Sequence, residues 1–167
     1  VLRRQMHRSF RKPLIVMTPK SLLRHKACVS DIGEFTQGMF RTVIDDAAVA
    51  DPAAVRRVLL CTGKLYYELV SGRESRELDG VAVVRVEQLY PFAEAPLRDI
   101  VARYAAAEEF CWVQEEASNM GAWSFLQPLI EELLGDDRPL RYVGRDEAAS
   151  PAVGDHLQHQ SEQREIV

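Results

Sequence analysis

Short, mainly apolar runs recur along the chain and alternate with longer segments of helical periodicity. Such runs lie at residues 14–17, 55–63, 81–86, 110–113 and 140–144, and the first of them is rich in β-branched residues. Each is bounded by Pro, Gly or charged residues, which predicts buried strands. Residues 40–44 alternate between apolar and polar and predict an edge strand that ends at Asp45 and Asp46.

The segments between these runs carry apolar side chains at the spacing of helices. Helices are predicted after residue 63, after Pro96, from about Trp123 to the Gly135 stop, and from about His156 onward. Residues 19–23 predict one helical turn, and the first ten residues resemble the tail of a helix in a longer polypeptide. Because strands alternate with helices, the pattern predicts an α/β domain with a mainly parallel sheet between helical layers.

Composition agrees with a globular domain, since 47% of the 167 residues are hydrophobic and 28% are charged. No run approaches the length of a membrane span and no signal-peptide pattern opens the chain, which predicts a cytoplasmic protein without a membrane partner. Cys28, Cys61 and Cys111 are widely spaced and predict reduced core thiols.

Positive charge is concentrated in residues 1–26, which contain eight Arg or Lys residues before the first acid, Asp31. This segment could meet phosphates, which leaves a nucleotide-binding module as one hypothesis. Phe10 is its only aromatic residue, so a nucleic-acid platform is not predicted. A solvated or partner-facing basic edge is the simpler interpretation.

Residues 110–123 hold the densest group of polar and aromatic positions. The candidate residues are Glu115, Glu116, Asn119, Gly121 and Trp123, which follow the predicted strand where ligands or partners dock in open sheets. Adjacent acids on an extended chain point to opposite sides, so Glu115 and Glu116 cannot share a proton as a dyad. Acid–base chemistry and an interface both remain open, and the interface is favoured.

Other motifs predict no catalytic, cofactor-binding or metal site within this chain. Residues 62–64 (TGK) lack the spacing of a phosphate-binding loop and predict a packing turn. His156 and His159 lie three apart on a predicted helix, but no third ligand is near. No nucleophile–base pair accompanies the acids.

The order of several motifs resembles the C-terminal domain of the E1 component of 2-oxoglutarate dehydrogenase. The matching segments are residues 11–30, 60–69, 81–92, 112–123, 142–145 and 149–154, with His159, Glu162 and Gln163 near the end. Ala117 departs from the family pattern, which usually has Pro there.

The resemblance implies a transketolase-like C-terminal domain: a three-layer α/β/α sandwich with a mostly parallel five-stranded sheet. Residues 1–12 would end an upstream junction helix and linker, and residues 13–167 would form the domain. Thiamine diphosphate and Mg²⁺ would be held by upstream domains of a homodimer, so the isolated chain would be inactive. The intact enzyme would decarboxylate 2-oxoglutarate and pass succinyl to the lipoyl group of the E2 dihydrolipoyl succinyltransferase in the tricarboxylic acid cycle. The related 2-oxoadipate dehydrogenase E1 is the alternative.

The resemblance also implies a possible effector site. An actinobacterial branch of the family binds acetyl-CoA as an activator, and Arg4, Thr42 and Gln88 occupy matching positions here. Met39 and residues 95–96 replace cations of that branch. Because charged hydrogen bonds to phosphate are the strong ones, their loss predicts no tight acetyl-CoA site.

Overall fold

The computed structural model describes residues 1–167 and divides them into two compact units, Val1–Arg41 and Thr42–Val167. The boundary predicted between residues 12 and 13 concerns the longer polypeptide and stays a prediction. Each unit is described by itself below.

The second unit contains a five-stranded sheet. Its strands are β1 (Val43–Ile44), β2 (Arg57–Cys61), β3 (Val81–Val86), β4 (Glu109–Ala117) and β5 (Leu140–Arg145). Their order is β1-β3-β2-β4-β5, and all neighbours are parallel except the antiparallel edge pair β1 and β3. The predicted mostly parallel five-stranded sheet is confirmed.

Four helices of the second unit cover the two faces of this sheet. They are α3 (Leu65–Ser75), α4 (Glu94–Arg103), α5 (Trp123–Leu134) and α6 (His156–Ile166), numbered after two short helices of the first unit. Helices α4 and α5 contribute to one hydrophobic cluster, and helices α3 and α6 contribute to the other. The three-layer α/β/α arrangement is therefore confirmed.

Alternation along the strands explains why two clusters form. On β2, Val58 and Leu60 belong to the cluster under α4 and α5, whereas Cys61 belongs to the cluster under α3 and α6. Successive side chains of a strand point to opposite faces, so an apolar run without polar interruption must be covered on both sides. This is the arrangement that the sequence pattern predicted.

The first unit contains helices α1 (Leu2–Met6) and α2 (Ile32–Thr36) and a 3-10 helix, Lys20–Arg24. None of its residues is buried. The prediction of a buried strand at residues 14–17 is wrong for this structure, because these residues form no strand and remain largely exposed. The pattern identifies apolar side chains that would be buried in a sheet, but no neighbouring strand pairs with this segment in the structure.

Two further details differ from the sequence predictions. Strand β4 continues to Ala117 instead of ending before the two acids, because β5 pairs with it as far as Arg145. Cys28 is exposed and is not a core thiol, while Cys61 and Cys111 are buried as predicted. No helix has the length and apolar character needed to cross a membrane.

Candidate functional site

Polar side chains gather where β4 and β5 end and where α3 begins. We call this group the polar edge; it consists of Lys64, Gln114, Glu115, Asn119, Tyr142 and Arg145. The carboxyl ends of parallel strands meet at one side of an α/β sheet, which brings residues distant in sequence together. The polar edge includes the sequence candidates Glu115 and Asn119.

Gln114 is the buried centre of the polar edge, with 3% of its surface exposed. Its Oε1 accepts hydrogen bonds from the indole Nε1 of Trp112 at 2.9 Å and from the backbone N–H of Trp123 at 3.1 Å. The backbone N–H of Ala122 lies at 3.3 Å from the same oxygen. The amide oxygen therefore satisfies free N–H groups at the start of α5, as a capping side chain does.

The amide nitrogen of Gln114 organises the loop between β4 and α5. It donates to the carbonyl oxygens of Met120 at 2.8 Å and Ala117 at 3.1 Å. Gly121 has φ +67, and a Cβ atom there would lie 2.9 Å from the Gln114 side-chain nitrogen and oxygen. Gly121 is therefore required both by its backbone conformation and by the closeness of Gln114.

Glu115 forms an ion pair with Lys64, whose Nζ lies 2.8 Å from the carboxylate. Lys64 also contacts Glu68 on the first turn of α3 at 3.4 Å. Burial lowers the pKa of Lys64, but the hydrogen bond and charge of Glu115, with those of Glu68, outweigh it and leave the pKa above its ordinary value. The Glu115 side chain thus joins the end of β4 to the start of α3.

The neighbouring acid, Glu116, has an exposed side chain and takes part through its backbone. The Tyr142 hydroxyl lies 2.8 Å from the Glu116 carbonyl oxygen and 2.9 Å from that of Arg145. Burial raises the pKa of the Tyr142 hydroxyl. The Tyr142 ring packs on that of Trp123 with their centroids 5.2 Å apart. Trp123 is therefore anchored on β5 and half-buried, not a freely projecting side chain.

Asn119 connects two loops at the exposed rim of the polar edge. Its side-chain nitrogen donates to the Ala148 carbonyl oxygen at 2.9 Å, and its side-chain oxygen accepts from the Ala148 N–H at 3.2 Å. Such a two-way pair with one backbone unit imitates the pairing of two strands. Asn119 holds the loop after β5 against the loop after β4.

Arg145 binds three groups on α6 and one on β4. Its Nε donates to Glu162 at 2.6 Å, and its other nitrogens lie 3.2 Å from His159 Nδ1 and 3.3 Å from Gln163 Oε1. It also donates to the Glu115 carbonyl oxygen. The hydrogen bond from Arg145 holds the pKa of Glu162 below its ordinary value. One guanidinium thus fastens the polar helix α6 to the sheet.

A cleft of about 550 Å³ opens between α3 and α6 beside the polar edge. Its basic and histidine residues are Lys64, Arg76, His156, His159 and Arg164, and Glu68 is the single acid in its lining. The Gln163 amide nitrogen donates to Glu68 across the cleft at 2.7 Å. Lys64 is already paired with Glu115 and Glu68, and Arg76 donates to the Val167 carbonyl oxygen at 2.6 Å, so two of the three Lys and Arg side chains in the cleft are engaged within the chain.

The residues predicted to hold an effector lie in different units. Arg4, in the first unit, stacks over the Phe40 ring at 4.5 Å. Thr42 and Gln88 lie together in the second unit, because the Gln88 N–H donates to the Thr42 carbonyl oxygen at 3.0 Å. The side-chain nitrogen of Gln88 donates to the Pro91 carbonyl oxygen at 2.9 Å. An effector site built from all three residues stays a prediction.

The chemistry of the donors does not fit a bound metal ion. No group of three or more His, Cys, Asp or Glu side chains is arranged to hold a metal ion. The carboxylate of Glu115 is already paired with Lys64 and that of Glu162 with Arg145. The polar edge is therefore built from hydrogen bonds and ion pairs between elements.

Sequence reasoning missed two buried polar groups that organise the second unit. Gln114 interrupts an apolar strand on the same side as Phe110 and Trp112, and this parity could have indicated a buried amide. The sequence pattern places Asp46 at the end of a strand, yet Asp46 is 2% exposed, pairs with Arg73 and accepts from the Val83 N–H at 2.8 Å. No local sequence signal links residues 46 and 73.

Comparisons with known proteins agree with the motif order. A family model described as 2-oxoglutarate dehydrogenase C-terminal matches residues 29–167. The 2-oxoglutarate dehydrogenase E1 component of Cupriavidus necator is 46% identical over 167 residues, which are 100% of this chain and 18% of the relative. Those of Brucella anthropi and Brucella ovis are each 48% identical over 168 residues, covering 92% of this chain and 17% of the relative. The chain thus spans less than a fifth of the length of these relatives.

Proposed function

This chain belongs to the 2-oxoglutarate dehydrogenase C-terminal family, and we propose that it is the C-terminal part of a 2-oxoglutarate dehydrogenase E1 component. The complete polypeptide decarboxylates 2-oxoglutarate with thiamine diphosphate and Mg²⁺. It then transfers the succinyl group to the lipoyl arm of the E2 dihydrolipoyl succinyltransferase, a step of the tricarboxylic acid cycle. The observation that carries this proposal is the 46% identity over the whole chain to a relative of that name.

Within that enzyme, the chain provides an interface between domains and subunits and supplies no reacting groups. Support comes from the polar edge, where the charges of Glu115 and Arg145 are occupied by contacts between β4, α3 and α6. Glu116 and Asn119, which have exposed side chains, and half-buried Trp123 lie around this rigid framework. A set of polar and aromatic groups held by buried hydrogen bonds is well suited to contact a partner surface. The partners are the upstream E1 domains and a second E1 subunit.

The location of the cofactor can be tested by isothermal titration. The purified 167-residue chain is titrated with thiamine diphosphate in the presence of Mg²⁺, and the full-length polypeptide serves as the positive control. No heat of binding is expected from the chain, while the full-length polypeptide binds. Micromolar binding by the chain alone would refute the assignment of the cofactor to the upstream domains.

The substrate is tested separately, because the related 2-oxoadipate enzyme is the alternative. The relatives reported above carry the name of the 2-oxoglutarate enzyme, which favours 2-oxoglutarate. Decarboxylation rates of the full-length polypeptide are compared for the two 2-oxo acids at equal concentration. A higher kcat/KM for 2-oxoadipate would reject the substrate proposed here and retain the family.

A further inference from the structure

Strand β5 lies at one end of the sheet and has a neighbouring strand, β4, on one side only. The opposite end of the sheet is β1, whose two residues offer little backbone for further pairing. Strand β5 is longer, with six residues, Leu140–Arg145. The outer side of such an edge strand presents a row of unpaired N–H and C=O groups, which is a template for another strand.

The backbone pairing of β5 with β4 shows which of its residues face inward. The Phe110 N–H donates to the Pro139 carbonyl oxygen at 3.2 Å, and the Ser118 N–H donates to the Arg145 carbonyl oxygen at 3.0 Å. In a parallel pair, alternate residues turn their backbone groups to the neighbouring strand. The odd-numbered positions of β5 therefore face β4, and the even-numbered positions face away from the sheet.

The outward-facing residues of β5 are Leu140, Tyr142 and Gly144. No backbone group of a loop or helix forms a hydrogen bond with them. The three residues are uncharged and none is a proline, although charge and proline are common protections of an edge strand. Nothing in their chemistry opposes the approach of a further strand.

Resting on the proposed function, we propose that the β5 strands of two E1 subunits pair antiparallel across a two-fold axis. The axis passes through Tyr142, so that Tyr142 lies opposite its copy and Leu140 lies opposite Gly144. In this register all three outward-facing residues form hydrogen-bonded pairs, in which each residue uses both its N–H and its C=O group. The same strand serves both subunits, as a two-fold interface requires.

Other two-fold registers of the same strands fit less well. An axis at Arg141, whose side chain is 64% exposed, would place two arginines directly opposite one another, and like charges there destabilise a strand pair. An axis at Val143 would leave Leu140 outside the hydrogen-bonded pairs. The axis at Tyr142 places Arg141 opposite Val143 and also brings two aromatic rings together on one face of the sheet, which is a favourable cross-strand pair.

Hydrogen exchange with residue-level fragmentation tests the pairing in the full-length dimer. If the edge is free, the amides of Leu140, Tyr142 and Gly144 exchange at least about 100-fold faster than those of Arg141 and Val143, which face β4. If the edge is paired, all five amides exchange slowly, which is the expected result. Fast exchange of the three outward-facing amides in the dimer would overturn the proposal.

A disulfide between subunits tests the partner and the register. Opposed residues of a hydrogen-bonded antiparallel pair have Cα atoms about 5.5 Å apart, within the range of a disulfide. Mild oxidation of the full-length Tyr142→Cys variant is therefore expected to give a covalent dimer. Arg141→Cys is the matched control, since its two copies would be diagonal neighbours about 7–8 Å apart, too distant to be joined. The unmodified polypeptide reports any disulfide formed by its own cysteines.

The outcomes of the oxidation separate the possible partners. A covalent dimer from Arg141→Cys and not from Tyr142→Cys would overturn the register. Slow exchange of the outward-facing amides without a covalent dimer from either variant would mean that another segment of the E1 polypeptide covers β5, which would also overturn the proposal. Because the Tyr142 ring packs on Trp123, a Tyr142→Cys variant that fails to fold leaves the decision to hydrogen exchange in the unmodified protein.

Both experiments are independent of the assigned activity, because neither uses a substrate. A full-length polypeptide that prefers another 2-oxo acid would contradict the proposed function and leave the strand pairing intact. Conversely, normal 2-oxoglutarate decarboxylation by a dimer with an unprotected β5 edge would contradict the pairing alone.

Discussion

The side-chain amide of Gln114 occupies the space that a Cβ atom on Gly121 would need. The distance from that position to both the nitrogen and the oxygen of the amide is 2.9 Å. This contact couples the end of β4 to the turn that starts α5, and it makes the loop conformation dependent on one buried side chain. The family motif around residues 112–123 is thus held together from inside the domain.

Substitution Gly121→Ala tests this coupling. A side chain at φ +67 costs about 1–2 kcal/mol, and the displaced Gln114 loses hydrogen bonds in addition. Gly63→Ala is the matched control, because Gly63 has φ +65 but no atom within 4 Å of its Cβ position. In urea unfolding, Gly121→Ala is expected to be the less stable variant. Equal losses in both would show that Gln114 adjusts without cost.

Replacing Gln114 should remove several buried hydrogen bonds at once. Gln114→Leu leaves the Trp112 indole N–H and the first N–H groups of α5 without their acceptor, and each buried unpaired group costs about 1–3 kcal/mol. Gln114→Glu retains the acceptor but cannot donate to Met120 when ionised. We therefore expect Gln114→Glu to lose stability as pH rises. Tryptophan fluorescence during urea unfolding measures the stability of both variants. If the stability of Gln114→Glu does not change with pH, the proposed role of the donation to Met120 is contradicted.

Removing one partner of the buried ion pair between Asp46 and Arg73 should greatly lower the free energy of unfolding. Asp46→Asn leaves the Arg73 guanidinium, which is 11% exposed, without its counter-charge. Breaking such a pair costs about 3–5 kcal/mol, whereas removing both charges costs less than the sum of the single losses. A double-mutant cycle with Arg73→Met measures the coupling. Additive losses would mean that the Val83 hydrogen bond, not the ion pair, is the important contact.

The contribution of Glu109 to the stability of the fold should depend on pH in the acidic range. Burial raises its pKa, but hydrogen bonds from Arg141 at 2.7 Å and from Arg57 outweigh burial and lower the pKa below 4.5. A lowered native pKa stabilises the fold above the unfolded pKa, and this stabilisation is lost as pH falls through the native value. The difference in unfolding free energy between the unmodified chain and Glu109→Gln should therefore be present at neutral pH and shrink below pH 4.5. A constant difference would contradict this origin.

Because Glu115 connects β4 to α3, we expect its substitution to impair assembly of the dimer more than the reaction. In the full-length polypeptide, Glu115→Ala removes the partner of Lys64 and loosens the end of β4 against α3. We expect a shift towards monomers in sedimentation and near-normal turnover by the dimers that form. Glu116→Ala is the control at the exposed neighbouring side chain. Normal dimerisation with a large loss of turnover would assign Glu115 to the reaction instead.

The sequence alone was sufficient to predict the α/β class, the strands β2, β3 and β5, and the helices after them. This succeeds because apolar periodicity is local: a run such as Val81–Val86 must be covered on both faces whatever its neighbours are. The motif order was sufficient to identify the family that the relatives support. It also identified residues 110–123 as the segment around which the polar groups gather.

Tertiary structure alone decided which of these residues contact one another. The pairing of Glu115 with Lys64 and the contacts of Arg145 with α6 join positions far apart in sequence, and no local pattern encodes them. The strand pattern at residues 14–17 is a second case in which the sequence does not specify the contact partner. Periodicity specifies that a segment needs cover, but the partner that supplies the cover depends on long-range packing, and this chain does not contain it.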